Sequence, residues 1–197
     1  MAETFSLGFD TSAAHCAAAL LQGDKLLAHR HEEMARGQAE RLFPLLEEVL
    51  TGAGVVWSQL SVLGCGIGPG NFTGIRISVA AARGLALSLG IPAVGVGVTE
   101  AAAHGLPRPC RVAVPARNGE VIWQDFGPGL TSMPEQGTLH DLPAGPPLLS
   151  PVMPLAEAIA RIAAERRDHP DLPCPAPIYL RPADAAPARD HAPPILP

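Results

Sequence analysis

One run of residues carries most of the chemistry open to this chain: Gly64-Cys-Gly-Ile-Gly-Pro-Gly-Asn-Phe-Thr-Gly-Ile-Arg-Ile77. It follows a short apolar run, Ser61-Val62-Leu63, that reads as a strand. It leads into a helix predicted from Thr73 to Leu89 and closed by Gly90 and Pro92. Strand, glycine loop and helix together aim backbone N–H groups at an anion. Gly68 and Gly70 are therefore the candidate phosphate contacts. Neither phosphate fingerprint fits, however. Lysine is missing and Gly74 is followed by Ile75, so no P-loop ending is present. Gly66-x-Gly68-x-Gly70 also has the wrong third spacing for a dinucleotide turn. The second reading is a tight turn that lets a helix pack closely on a sheet, and both remain open at this point.

Other reactive side chains form no recognisable group. Nucleophilic catalysis needs a base within reach of a nucleophile and a third group to orient that base. No Ser, Thr or Cys stands in such a setting, and the glycine loop is no nucleophile elbow. His29, His31 and His104 occur singly, without ligand spacing, so a bound metal is not expected. The four cysteines, Cys16, Cys65, Cys110 and Cys174, lie far apart and read as reduced thiols.

The elements that must position these residues follow from hydrophobic patterning. Phe5 to Asp10, His15 to Gln22 and Lys25 to His31 read as three strands, with Gly23-Asp24 as a hairpin turn. A first helix over 37–53 shows Ala39, Leu42, Phe43, Leu46, Val49, Leu50 and Ala53 at helical steps, with Pro44 as a site for a kink or a lost hydrogen bond. In the second helix Ile75, Val79, Ala82, Ala86 and Leu89 form one stripe, and Ile77, Ala81 and Leu85 lie off it. Apolar surface thus wraps most of that cylinder and needs cover on more than one side. One side can be a sheet and another a second subunit, which makes Leu42, Leu45, Leu46, Val49, Val79 and Arg83 the candidate partner contacts. The same surplus predicts a homodimer when the chain is alone.

Residues 93–97 and 111–126 supply further strands, with a short helix from Thr99 to His104 and a hairpin turn over Ala116-Arg117-Asn118-Gly119-Glu120. Beyond Phe126 the composition turns to Pro and Gly, and 127–151 holds no periodic run. Leu155 to Arg167 reads as an amphipathic helix opened by Pro154. Ile178-Tyr179-Leu180 is a candidate edge strand, and the stretch after Asp184 is expected to be disordered. The expected organisation is an N-terminal domain over 1–105 and a rudimentary C-terminal domain over 106–197.

Of 197 residues, 47% are hydrophobic and 17% charged, which is a globular composition. The formal net charge is −5, without a basic tract of the kind that grips nucleic acid. No export signal stands at Met1-Ala-Glu-Thr, and the longest apolar region, 84–98, is broken by Gly90, Pro92, Gly95 and Gly97. A cytoplasmic chain without membrane contact is expected.

Gly66-x-Gly-Pro-Gly-Asn-Phe-Thr-Gly-Ile-Arg-Ile77 closely resembles the loop of the TsaB family, the non-catalytic dimerisation subunits of bacterial tRNA threonylcarbamoyladenosine synthesis. Further matching residues occur in the family's order. They are Phe9-Asp10-Thr11-Ser12, Glu40-Arg41-Leu42-x-Pro44-Leu45, Gly84-Leu85-Ala86-Leu87, Gly95-Val96, Ala116-Arg117-x-Gly119-Glu120-Val121 and Pro177-x-Tyr179-Leu180-Arg181. They cover 7–126 well and the rest thinly. The chain departs from the family at Pro115, where an aspartate is common, and at Ile122, where an aromatic is. Asn71 and Ser78 replace a usual serine and glycine, and Gln38 stands where a histidine is frequent.

The resemblance implies an α/β, actin-like (ribonuclease-H-like) fold with a mixed sheet flanked by helices. Three antiparallel strands with Asp10-Thr11 at the first turn resemble the opening of actin, sugar kinases and Hsp70, where an acidic residue orients a magnesium-bound phosphate. Asp10 is thus a candidate cofactor contact, the alternative being that Asp10 and Ser12 cap a tight turn. The resemblance further implies a chain with no catalytic residue, no metal and no cofactor of its own. It would support a catalytic TsaD-like subunit through the two helices, with ATP and metal on the partner subunits. A small TsaE-like ATPase would dock on the pair, and tRNA would be met only through the complex. The enzyme alternative is an ATP-dependent phosphotransferase or a metallopeptidase-like member of the actin-like superfamily. The phosphotransferase needs a second aspartate-glycine phosphate loop, which 111–197 does not offer.

Overall fold

A computed structural model describes residues 4–129 and 131–180. Strands β1 (Phe5–Asp10), β2 (His15–Gln22) and β3 (Lys25–Glu33) precede helix α1 (Gln38–Gly52). Then come β4 (Leu60–Gly66), α2 (Phe72–Leu89), β5 (Ala93–Val96) and α3 (Val98–Ala103). Strands β6 (Cys110–Pro115), β7 (Val121–Phe126) and β8 (Glu135–Gly137) and helix α4 (Leu155–Arg166) follow among the described residues. The first sheet runs β3-β2-β1-β4-β5. Its β1–β2 and β2–β3 pairs are antiparallel, and β4 and β5 join in parallel. This mixed order, flanked by helices, is the actin-like, ribonuclease-H-like arrangement expected from the sequence.

The sheet is covered on both faces, which is why β1 and β4 read as nearly unbroken apolar runs. On one face Leu7, Phe9, Leu20 and Leu63 pack against Leu42, Leu46 and Val49 of α1 and Ile75, Val79 and Ala82 of α2. On the other lies α4, whose Ile159 and Ala163 meet Val62 and Val94, while Ala156 meets Ala17 and Ala19. A side chain at Gly8 would strike the α4 backbone at Ala156 and Ala160, and one at Gly64 would strike Ile159. Small residues on both partners let this helix sit close to the sheet. Helix α4, which sequence composition assigns to the C-terminal part, thus completes the core of the first sheet.

This packing corrects the interface expected from the sequence. Leu42, Leu45 and Leu46 are fully buried, and Val49 and Val79 nearly so. They are the chain's own core, because a sheet face of this size needs the apolar stripe of both helices to cover it. Of the six candidates only Arg83 is exposed. Ile77, Leu85, Ala86 and Leu89 of α2 also pack on the core, half-buried. The helix has the length and hydropathy of a membrane span, but its buried stripe seats it on the sheet.

Helix α1 runs unbroken through Pro44, which lies on its exposed side. Beyond α3, β6, β7 and β8 form a small antiparallel sheet whose Cys110, Val112 and Phe126 pack on Ala102 and Ala103. Asn118 and Gly119 of its turn have φ of 58° and 75°, the left-handed backbone that Asn-Gly tolerates. Strand β8 lies in the stretch where the sequence shows no periodicity. Leu172–Leu180 has no regular structure, and the expected edge strand at Ile178-Tyr179-Leu180 reduces to one backbone bond, Ile178 N–H to Ile67 O at 2.8 Å. Arg181 and the stretch after Asp184 lie outside the described residues.

Candidate functional site

The ends of β1 and β4 and the start of α2 converge at one edge of the sheet, where Asp10 meets the glycine loop. Asp10 is fully buried. Its Oδ2 accepts the Ser12 backbone N–H at 3.0 Å and the Ser12 hydroxyl at 2.9 Å, and lies 2.6 Å from His15 Nε2. That is the turn-capping role of a short acidic side chain. Its Oδ1 is buried with no hydrogen-bond partner and sits against Gly66, where any Cβ would overlap it. Among the described residues no group of three or more His, Cys, Asp or Glu is placed to hold a metal ion.

The loop is wrapped around this turn. Thr11 N–H donates to Ser78 Oγ at 3.0 Å, and its hydroxyl donates to Gly74 O at 2.7 Å. Asn71 N–H donates to Ser12 O at 2.6 Å. A Cβ at Gly70 would collide with the Ser12 carbonyl, and one at Gly74 with that of Thr11. The N–H groups of Thr73, Gly74 and Ile75 in the first turn of α2 are taken as well: Asn71 Oδ1 accepts from Thr73 and Gly74, and Asn71 O accepts from Ile75. Asn71 therefore does the capping that a serine there would do. Of the two readings of the loop, close packing accounts for Gly66, Gly70 and Gly74 and for the backbone donors of Asn71, Thr73, Gly74 and Ile75. Gly68 is used in the same way, its carbonyl accepting from Val98 N–H at 2.9 Å.

Beside this turn lies a grouping that spacing alone did not reveal. The β2–β3 register pairs Ala17 with His31 and Ala19 with His29, which puts both histidines on the α4 side of the sheet. His15 joins them, its ring 4.9 Å from that of His31. His29 Nε2 is buried without a partner, and burial, reinforced by His31, holds the imidazole pKa below its ordinary value. Finding this row requires the strand register, which no single-sequence spacing supplies.

On the opposite face of the sheet α1 and α2 lie side by side and turn their remaining surfaces outward. Helix α1 exposes Glu40, Phe43, Pro44 and Glu47, and α2 exposes Arg76, Ala80, Arg83, Gly84 and Leu87. Leu87 is 87% exposed and Phe43 46%. The charges are segregated, because the outward side of α1 is acidic and α2 carries no acidic residue at all. Arg41 bonds Glu32 of β3 and Glu48 of α1, and those bonds hold both carboxyls below their usual range. No ion-pair partner of Glu40, Glu47, Arg76 or Arg83 occurs among the described residues. Toward the C-terminal end of α2 an open groove of about 800 Å³ is lined by Arg83, Leu87, Pro92, His169, Leu172 and Cys174.

A family model described as TsaD, tRNA N6-adenosine threonylcarbamoyltransferase, matches residues 30–141, more than half of the chain. The chain is 36% identical over 125 residues to the tRNA threonylcarbamoyladenosine biosynthesis protein TsaB of Escherichia coli K12, covering 61% of this chain and 54% of that protein. It thus spans about half the length of that relative. Against an uncharacterized protein of Mycobacterium tuberculosis H37Rv it is 30% identical over 197 residues, covering 92% of this chain and 93% of that one. Its fold matches the solved structure of YeaZ from Pseudomonas aeruginosa with a TM-score of 0.71 at 25% identity, over 90% of this chain and 100% of that one.

Proposed function

This chain belongs to the TsaB family, and we propose that it serves tRNA threonylcarbamoyladenosine biosynthesis as a non-catalytic subunit docked on a TsaD-like catalytic subunit. The observation that carries this reading is where the polar groups at the glycine loop go. Asp10, Thr11, Ser12 and Asn71 bond one another and the start of α2. Machinery for nucleophilic or phosphoryl chemistry would need such groups aimed at a substrate instead. The chain's contribution is therefore a surface, formed by the outward sides of α1 and α2. Exposed Leu87 and Phe43 supply apolar contact, Ala80 and Gly84 admit a close helix, and the charges orient the partner.

In this reading ATP and metal are held by the partner subunits, and a TsaE-like ATPase joins the pair. The tRNA is reached only through the assembly, consistent with a net charge of −5. The working compartment is the cytoplasm. Reconstitution with the TsaD-like and TsaE-like subunits of the same cell tests it. Leu87→Glu should abolish co-elution with the TsaD-like subunit and stop tRNA modification while the variant stays folded. ATP hydrolysis by the isolated chain that disappears in Asp10→Ala would overturn the proposal in favour of an enzyme.

A further inference from the structure

The C-terminal segment that follows α4 crosses the edge of the first sheet as a strap. Leu172 packs on the cluster around Ile159 and Ile162. Farther on, Ile178 N–H donates to Ile67 O, and the Ile178 carbonyl lies where any side chain at Gly68 would point. Gly68, which the sequence offered as a phosphate contact, is thus the seat of the strap. At the far end the Tyr179 ring lies 4.9 Å from that of Phe72, the first residue of α2. Its hydroxyl accepts from Arg76 Nε at 3.0 Å, and the Arg76 guanidinium stacks on Phe72 at 3.8 Å.

Arg76 is exposed, yet it is held at two points, by a ring beneath it and a hydroxyl at Nε. Its Nη groups have no partner among the described residues. A long side chain on a helix surface normally loses rotamer entropy when it binds, and one fixed in advance loses less. A planar guanidinium with both Nη groups open fits a carboxylate bidentately. Arg83 lies two turns along the same acid-free helix, so the surface that fits here is acidic.

Resting on the reading that α2 is the docking face, we propose that Tyr179 and Phe72 preorganise Arg76 as a fork for a carboxylate on the partner protein. Tyr179 is then a positioning residue, and the strap is part of the interaction surface although it belongs to neither docking helix. A phosphate would suit the same fork, but the neighbouring Ala80, Gly84 and Leu87 suit an apolar protein face and not an RNA backbone.

The test measures binding of the purified TsaD-like subunit of the same cell by calorimetry at low and high salt. Arg76→Gln should weaken binding about tenfold and flatten its salt dependence. Arg76→Lys should recover little, since a point charge lacks the fork. Tyr179→Ala should weaken binding about fivefold in the wild-type background and add nothing to Arg76→Gln, because residues acting as one unit are not additive. A merely structural Tyr179 would instead add its loss to that of Arg76→Gln, and that result would overturn the proposal. If Leu87→Glu abolishes binding while Arg76→Gln binds like wild type, the docking face stands and the fork is wrong. If neither variant changes binding, the docking reading itself fails. If RNA competes with the TsaD-like subunit in an Arg76-dependent way, the carboxylate assignment is overturned.

Discussion

At the scale of single residues, burial decides which groups can react. Cys65 is buried beside Asp10, and desolvation with that neighbouring charge pushes its thiol up to about 12. Cys16 is pushed up to about 11, chiefly by burial. A thiol reacts as the thiolate, so both should be inert near neutrality. In the native protein a disulfide reagent should modify Cys174 rapidly, that being the exposed one of the four, and all four only in denaturant. Fast modification of Cys65 at neutral pH would mean that the loop opens over Asp10. His29 gives a second measurable consequence. Its folded pKa lies below the unfolded value near 6.5, so the unfolded chain takes up the proton first. The stability it contributes is complete above about pH 6.5 and is lost as pH falls toward the lowered folded value. Denaturant melts of His29→Gln should therefore depend less on pH between 7 and 5 than those of the wild type, a range spanning the ordinary imidazole value. Equal slopes would place the acid sensitivity elsewhere.

At the scale of elements, the glycine loop and α2 behave as one clamp on the β1–β2 turn. Gly74→Ala would put a methyl into the Thr11 carbonyl inside a helix, where alanine is otherwise the better residue. The expected outcome is a loss of about 1–3 kcal/mol by chemical denaturation, the usual cost of overpacking, in place of a helix-propensity gain. A stabilised variant would mean that the turn moves freely. The loop motif was legible in the sequence, as were the three-strand opening and the helices following it. Its purpose was not, because a strand–glycine–helix run looks the same whether it closes on an anion or on its own chain. The distinction lies in Thr11, Ser78 and Asn71, whose partners are known only once β1 and α2 are side by side. The outward sides of α1 and α2 were not singled out for a related reason. A helical stripe such as Leu42, Leu46 and Val49 has the same period whether it faces a sheet or a partner, and α4 on the second sheet face left the first face for α1 and α2 alone. Strand β8 escaped notice because Glu135-Gln-Gly137 has neither alternation nor β-branched residues.

For the whole molecule, segregated charge on one face sets a rule for self-association. Glu40 and Glu47 line the outward side of α1, Arg76 and Arg83 that of α2, and the two helices are neighbours. A two-fold axis between them brings α1 of one copy against α2 of the other, so each acidic row meets a basic one. With Phe43 and Leu87 covered at the same time, the isolated chain is expected to be a homodimer at micromolar concentration, weakened by salt. The pattern can be inverted without touching the core, since all four charged residues lie on the outward sides. Reversing only the acids, with Glu40→Lys and Glu47→Lys, sets like charges opposite one another and should give monomers in light scattering. Reversing only Arg76 and Arg83 to glutamate should do the same. Reversing all four restores complementarity, so that variant should dimerise with itself yet refuse to mix with wild type, whose rows it would meet charge for charge. Differently tagged copies, mixed and captured on one tag, would read this sorting directly. A fourfold variant that stays monomeric, or one that exchanges freely with wild type, would show that the copies meet through some other surface.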